Sequence, residues 1–186
     1  MFYLIRHTKP DVEPTMCYGQ SDLDVADSFE REKNEIKELL PEKFEGEIFC
    51  SPLIRCRKLA EALFPNKPIT FDDRIKEIYA GDWEMIPWDS IDKEFLKHWK
   101  RNFITEGIPN GECHGDFFDR VQEFFGELDI KNKDYAVVAH DGVLRGILID
   151  VLKMPRESAY AIDLNYGATI ECVLDDWADV KVKFLR

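Results

Sequence analysis

Two arginines and two histidines stand where short apolar runs end. Phe2-Tyr3-Leu4-Ile5 leads straight into Arg6-His7. Tyr135-Ala136-Val137-Val138-Ala139 leads into His140-Asp141-Gly142. Glu47-Ile48-Phe49-Cys50 is followed by Ser51-Pro52-Leu53-Ile54-Arg55. Such runs have the length and composition of buried strands. In open α/β sheets, the carboxyl ends of the strands form the crevice that binds ligands. Arg6, His7, Arg55 and His140 would then converge there. A guanidinium fork matches phosphate oxygens and stays charged at every relevant pH. Two fixed cations and two imidazoles in one crevice suit a phosphoryl group.

The elements that position these residues alternate along the chain. After the first strand, residues 8–22 form a polar loop with Pro10, Pro14 and Gly19. Phe29, Ile36, Leu39 and Leu40 then share one face of a helix that Pro41 closes. Ser51 is placed as an N-cap with Pro52 at the first helical position. That helix carries Ile54, Leu59 and Leu63, and Ile69-Thr70-Phe71 follows as a strand. A helix over about 115–128 has Phe117, Val121, Phe124, Phe125 and Leu128 at helical spacing. Strand 135–139, helix 142–152 and a closing pair of strands, 168–174 and 180–185, complete the chain. The pattern predicts an α/β fold with a mostly parallel central sheet and helices on both faces. The last two strands are close enough in sequence for an antiparallel hairpin.

Residues 72–114 break the alternation. They hold Trp83, Trp88 and Trp99 with Pro87, Gly107 and Pro109. We read one domain over 1–186 with an insertion at about 72–114 that covers the active-site end. A single helix is expected there around 88–103. The aromatics are read as a local core rather than as a stacking surface for ligand.

Composition narrows the classes of function. The 186 residues carry a net charge of −12, with 45% hydrophobic and 33% charged residues. Such a charge argues against nucleic acid and anionic membrane as partners, since both need basic patches. The five cysteines are odd in number and form no paired knuckles, as expected of reduced thiols in a cytoplasmic protein. The apolar run before Arg6 is too brief for a signal segment, and no run approaches a membrane span. No His/Cys/Asp cluster suggests a metal, and no glycine-rich phosphate loop of the Walker type occurs. No cofactor is expected.

Four motifs in order carry a resemblance. They are Arg6-His7-Thr8, Ser51-Pro52-Leu53-Ile54-Arg55, Lys76-Glu77-Ile78-Tyr79-Ala80-Gly81-Asp82-Trp83-Glu84, and Val138-Ala139-His140-Asp141-Gly142-Val143. Together they resemble the histidine phosphatase superfamily, which includes the cofactor-dependent phosphoglycerate mutases, over nearly the whole chain. Arg6 to Val12, followed by Cys17-Tyr18-Gly19-Gln20-Ser21-Asp22, looks most like the α-ribazole phosphatase branch. The resemblance implies a phosphoglycerate mutase-like three-layer sandwich. It also implies a metal-independent phosphomonoesterase acting through a phosphohistidine on a small phosphorylated metabolite, with α-ribazole 5′-phosphate as the specific substrate.

The site roles follow from that resemblance. His7 is the nucleophile, and a carbonyl on its other ring nitrogen would fix the tautomer. Arg6 and Arg55 grip phosphate oxygens, and Arg55 would also gain from the start of its helix. Neighbouring Arg57 is expected in solvent. His140 donates to the phosphoryl group as charge builds. Glu77 holds the family's acid position; composition alone does not separate it from Asp82 or Glu84. Tyr18 and Gln20 are assigned to the substrate wall.

The departures from the family pattern concern shape. Thr8 and Met85 stand where glycines are usual, Asp141 where a small residue is usual, and Cys113 where Gly111-Glu112 usually leads into serine. Thr8 is assigned to the substrate. Asp141 is expected to cap its helix, with favouring a protonated His140 by opposite charge or contact with a cationic part of the substrate as the alternatives. Asp11-Val12-Glu13 replaces the asparagine region of the mutases, which weakens a mutase reading; the modest insertion and an expected exposed pocket favour water as phosphoryl acceptor. His98 and His114 are expected on the surface. Mutase-type transfer and a non-catalytic phospholigand binder are the other two readings.

Overall fold

The computed structural model describes residues 1–174 and 180–186. Among the described residues, eight strands and five α-helices follow in order. They are β1 (Phe2–Arg6), β2 (Met16–Cys17), α1 (Phe29–Lys37), β3 (Glu47–Cys50), α2 (Ile54–Leu63), β4 (Ile69–Phe71) and β5 (Ile86–Pro87). Then come α3 (Lys93–Asn102), α4 (His114–Gly126), β6 (Tyr135–Ala139), α5 (Asp141–Val151), β7 (Thr169–Leu174) and β8 (Val180–Phe184). Six strands form one sheet in the order β4-β3-β6-β1-β7-β8. The first four are parallel. β7 runs antiparallel to β1, and β8 to β7. The predicted α/β architecture with a mostly parallel sheet and a closing hairpin is what the chain adopts.

Alternation along the central strands divides the core in two. Phe2 and Leu4 of β1, with Tyr135, Val137 and Ala139 of β6, pack on Phe117, Phe118, Val121, Leu144 and Leu148 of α4 and α5. Tyr3, Ile5, Ala136 and Val138 pack on Ile36, Leu59 and Leu63 of α1 and α2. Strands buried on both faces become continuous apolar runs, which is why β1 and β6 read as they do. Register then does the positioning. Arg6 pairs with Ala139, and Cys50 with Val138. One step further on, His7, His140 and Ser51 emerge side by side.

Residues 72–113 contain short 3-10 turns at Asp73–Ile75, Gly81–Trp83 and Trp88–Ser90, then α3. The expected helix over 88–103 is shorter. It starts at Lys93, where the Asp92 carboxylate accepts from Phe95 N at 2.7 Å and closes the first turn. β5 pairs with β2, bringing this segment against Cys17. Trp83 and Trp99 bury with Cys17, Ala80, Ile91 and Ile108. Met85, at a position where the family has glycine, takes the left-handed φ of 59° that glycine adopts freely.

Two capping expectations are corrected. Helix α2 begins at Ile54, and Ser51 does not cap it. The Ser51 hydroxyl meets His140 Nε2 at 2.7 Å instead. The helix N-terminus is served by Asp22, whose carboxylate accepts from Ile54 N at 2.6 Å. Asp141 does not cap α5; His140 occupies the cap position without a side-chain bond. Arg145, one turn along, draws the Asp141 carboxylate to 2.8 Å. Cys113, where the family has serine, does cap: its sulfur accepts from Asp116 N at 3.4 Å.

Candidate active site

His7 sits at the end of β1 and is 1% exposed. Its Nδ1 lies 2.7 Å from the carbonyl of Thr8. A carbonyl only accepts, so Nδ1 carries the proton and Nε2 keeps its lone pair. Burial first, then the Arg55 and Arg6 cations, hold the His7 pKa well below the ordinary imidazole range. The ring is therefore neutral, with a fixed tautomer and a lone pair on Nε2. The His140 ring stands edge-on at 5.2 Å and is held neutral in the same way, by burial and then Arg55. Ser51 and Cys56 contact its ring nitrogens.

Arg55 is fully buried. Two of its nitrogens donate to the carbonyls of Gly19 and Ser21, each at 2.8 Å. Arg6 donates to the carbonyl of Leu164 and lies 4.3 Å over the Tyr166 ring. The Nε of each arginine is buried and has no hydrogen-bond partner among the described residues. Buried donors left unpaired are costly. Two such donors near a neutral imidazole have the chemistry to bind anionic oxygens. Arg57 lies exposed, as expected.

A cavity of about 760 Å³ opens beside this cluster. Arg6, Tyr18, Glu77, Asp141 and Tyr166 are among its polar lining, and Trp88, Trp99, Phe103 and Ile108 are among its apolar walls. His7, Arg55 and His140 do not line it. Tyr18 and Tyr166 join hydroxyl to hydroxyl at 2.9 Å, and each also touches the buried group: Tyr166 at 5.8 Å from His7, Tyr18 at 5.3 Å from Arg55.

Glu77 rests between two backbone donors, Ile78 N at 3.0 Å and Gly142 N at 3.3 Å. Enclosure in the protein raises its pKa, and the Asp141 carboxylate raises it further. Gly142 leaves room for this contact: a Cβ there would stand 2.4 Å from Glu77 Oε1 and 2.8 Å from the Phe117 ring, so the carboxylate would have to shift. Asp141 itself faces Arg145 at 2.8 Å and Arg6 at 3.6 Å.

Of the remaining expected site residues, Tyr18 reaches the cavity. The Thr8 side chain is fully buried and serves the site through its carbonyl. Gln20 does not line the cavity; its side chain donates to the carbonyl of Glu77 at 2.9 Å. Glu84, not separated from its neighbours by composition, gathers the amides of Gln20, Ser21 and Ala80 and the Ser21 hydroxyl. It thereby ties the loop that binds Arg55 to the segment that carries Glu77. Tyr166 was not foreseen, since nothing in its sequence neighbourhood marks it.

His98 is exposed, as expected, and pairs with Glu106 at 2.9 Å. His114 is not on the surface. It is 2% exposed, bonded to the Tyr160 hydroxyl at 2.6 Å and packed among Trp99, Phe103 and Phe118. Its spacing from Phe117, Phe118 and Val121 puts it on the apolar face of α4. Burial pushes its pKa down to about 4.

Three buried neutral histidines make stability depend on pH. Unfolded, each takes up a proton near pH ~6.5; folded, His7, His140 and His114 resist it. The unfolded state then binds more protons below that pH, so stability falls as pH is lowered. Glu77 opposes this, because its raised folded pKa favours the folded state as pH drops, but it is one group against three. The urea midpoint is expected to decrease between about pH 7 and about pH 5.5, and less steeply in His114→Phe. A flat or rising midpoint would contradict the neutral, buried assignment.

Residues 2–184 match the family model of the histidine phosphatase superfamily, branch 1. The adenosylcobalamin/alpha-ribazole phosphatase of Salmonella typhimurium is 25% identical over 173 residues, covering 89% of this chain and 86% of that protein. The fold resembles the alpha-ribazole phosphatase of Shigella flexneri, with a TM-score of 0.87 at 22% identity over 99% of this chain and 95% of that one. It also resembles a mycobacterial glucosyl-3-phosphoglycerate phosphatase, with a TM-score of 0.82 at 19% identity over 99% and 96% of the two chains. The chain belongs to the histidine phosphatase superfamily, and its activity is that of a phosphatase.

Proposed function

We propose that this phosphatase hydrolyses small phosphomonoesters in two steps through a phosphohistidine on His7, without a metal ion. The observation that carries the reading is the state of His7: neutral, with Nδ1 held by the Thr8 carbonyl and Nε2 free among two arginines. In the first step the Nε2 lone pair attacks phosphorus and the bond to the ester oxygen breaks. The Glu77 carboxyl, whose pKa is raised by burial and by the Asp141 carboxylate, gives its proton to the departing oxygen. In the second step the Glu77 carboxylate takes a proton from water. That water breaks the P–N bond and releases inorganic phosphate. Arg6 and Arg55 neutralise the phosphoryl oxygens, and His140, oriented by Ser51, hydrogen-bonds to them as charge builds.

His7 is sealed from the cavity, so entry of a phosphoryl group requires side chains to move. Arg6, Tyr18 and Tyr166 both line the cavity and touch the buried cluster, so we assign the movement to them. The chain is read as one domain whose segment 72–114 walls the substrate space. A reduced, cytoplasmic setting is supported by five cysteines that form no disulfide. The specific substrate proposed is α-ribazole 5′-phosphate. Its support is the Salmonella relative together with a cavity large and aromatic enough for a ring-bearing ester.

The test is kcat/KM for phosphate release from α-ribazole 5′-phosphate and from 4-nitrophenyl phosphate, both in EDTA. A large preference for the ribazole ester is expected. Comparable slow rates on both would keep the phosphatase and discard that substrate. Release from neither, with transfer between phosphoglycerates, would favour a mutase; loss of activity in EDTA would overturn the metal-free mechanism.

A further inference from the structure

We propose that Arg120, locked by Glu112, is a positioning residue that fixes where the Glu77 carboxyl meets the leaving oxygen; this rests on Glu77 being the acid. Arg120 lies on α4 and does not line the cavity. A guanidinium has five N–H donors in a rigid plane, and in Arg120 every one is engaged. Nε and Nη2 grip the two Glu112 oxygens, each at 2.8 Å. Nη1 donates to the carbonyls of Arg74 at 2.6 Å and Lys76 at 2.8 Å. The last Nη2 proton goes to the carbonyl of Glu77 itself, at 3.0 Å. The guanidinium carbon lies 4.7 Å from the centre of the Phe117 ring, so the plane is held from that side as well.

The partner carboxylate extends the same hold. Glu112 Oε2 also accepts from Tyr79 N at 2.7 Å. The stretch from Arg74 to Tyr79 is thus tied to one ion pair on either side of Glu77. That stretch has no regular structure after the turn ending at Ile75. Without the pair, the Arg74 and Lys76 carbonyls would have to find other donors, the Glu77 carbonyl would keep only Gln20, and the segment carrying the acid would be held less firmly. Proton transfer demands hydrogen-bond reach to the departing oxygen, and a displacement of about 1 Å can cost about 100-fold in rate. Lysine has three donors on a compact head and cannot serve these acceptors together.

The experiment compares Arg120→Lys, Glu77→Gln and the double variant by kcat/KM on 4-nitrophenyl phosphate and on a simple alkyl phosphate. The nitrophenolate leaves without help, whereas the alkoxide needs the acid. Arg120→Lys is expected to lose about 10- to 100-fold on the alkyl ester and less than about threefold on the nitrophenyl ester. Added to Glu77→Gln, it should cost almost nothing more, because both changes remove one function. Glu112→Gln, which keeps the arginine, should move the same ratio in the same direction by a smaller amount, and covers the case that Arg120→Lys does not fold.

Equal losses on both esters, full additivity in the double variant, or a lower melting temperature with an unchanged ratio would each overturn the proposal. If Glu77→Gln shows leaving-group dependence and neither clamp variant does, the clamp alone fails. If Glu77→Gln shows none, the acid assignment fails and the clamp falls with it.

Discussion

Replacing His7 with alanine is expected to abolish phosphate release while leaving the protein folded. The substitution removes an imidazole whose Nε2 lone pair is left free and on which the Arg6 and Arg55 cations both act. Water cannot substitute for it efficiently, because the nucleophile in this mechanism is pre-positioned and desolvated. Removal of the nucleophile from a covalent mechanism costs on the order of 10⁴-fold or more. Folding should tolerate the change, since the alanine fits the same strand end and the lost ring makes a single hydrogen bond, to a neighbouring carbonyl. Near-normal turnover with a normal melting curve would sink the mechanism. The variant should also still bind inorganic phosphate, since Arg6, Arg55 and His140 remain.

The second large effect concerns Glu77. Glu77→Gln keeps the shape and removes the transferable proton, so kcat/KM on an alkyl phosphate should fall by about 10²–10⁴-fold. On 4-nitrophenyl phosphate, kcat/KM reports only the phosphorylation step, where no acid is needed, and should change little. The same variant loses the base for the second step. It should therefore release a rapid burst of nitrophenol and then turn over slowly as the phosphoenzyme accumulates. For the wild type on the alkyl ester, kcat/KM should decline as pH rises through the elevated Glu77 pKa, because only the protonated carboxyl can donate. The glutamine variant should lack that decline. Equal losses on the two esters, or a pH profile shared by variant and wild type, would assign the acid elsewhere.

The parts of this site that lie at strand ends were legible from residue order. Arg6, His7 and His140 follow unbroken apolar runs, and a parallel register must bring such ends together. Glu77 was legible only through resemblance, because three carboxylates share its neighbourhood and only the fold separates them. The misread residues failed for a common reason. Ser51 has the type and place of a cap, but its hydroxyl is claimed by a histidine 89 residues away. Asp141 likewise sits where a cap belongs; the competing partner, Arg145, stood visible at the i+4 position. His114 carried its own signal in its spacing from Phe117, Phe118 and Val121. Tyr166, Arg120 and Glu84 had none. Their contacts with Tyr18, Glu77 and Gln20 span 148, 43 and 64 residues and arise only from tertiary packing.

The central claim is that phosphorus is carried on His7. The direct measurement is to quench the wild-type enzyme in alkali during turnover of 4-nitrophenyl phosphate, where phosphohistidine survives, and to map the phosphoryl group by peptide mass spectrometry. One phosphoryl group on the peptide containing His7, absent from His7→Ala and enriched in Glu77→Gln, is the predicted result. A phosphoryl group on any other residue, or none in Glu77→Gln during its slow phase, would contradict it.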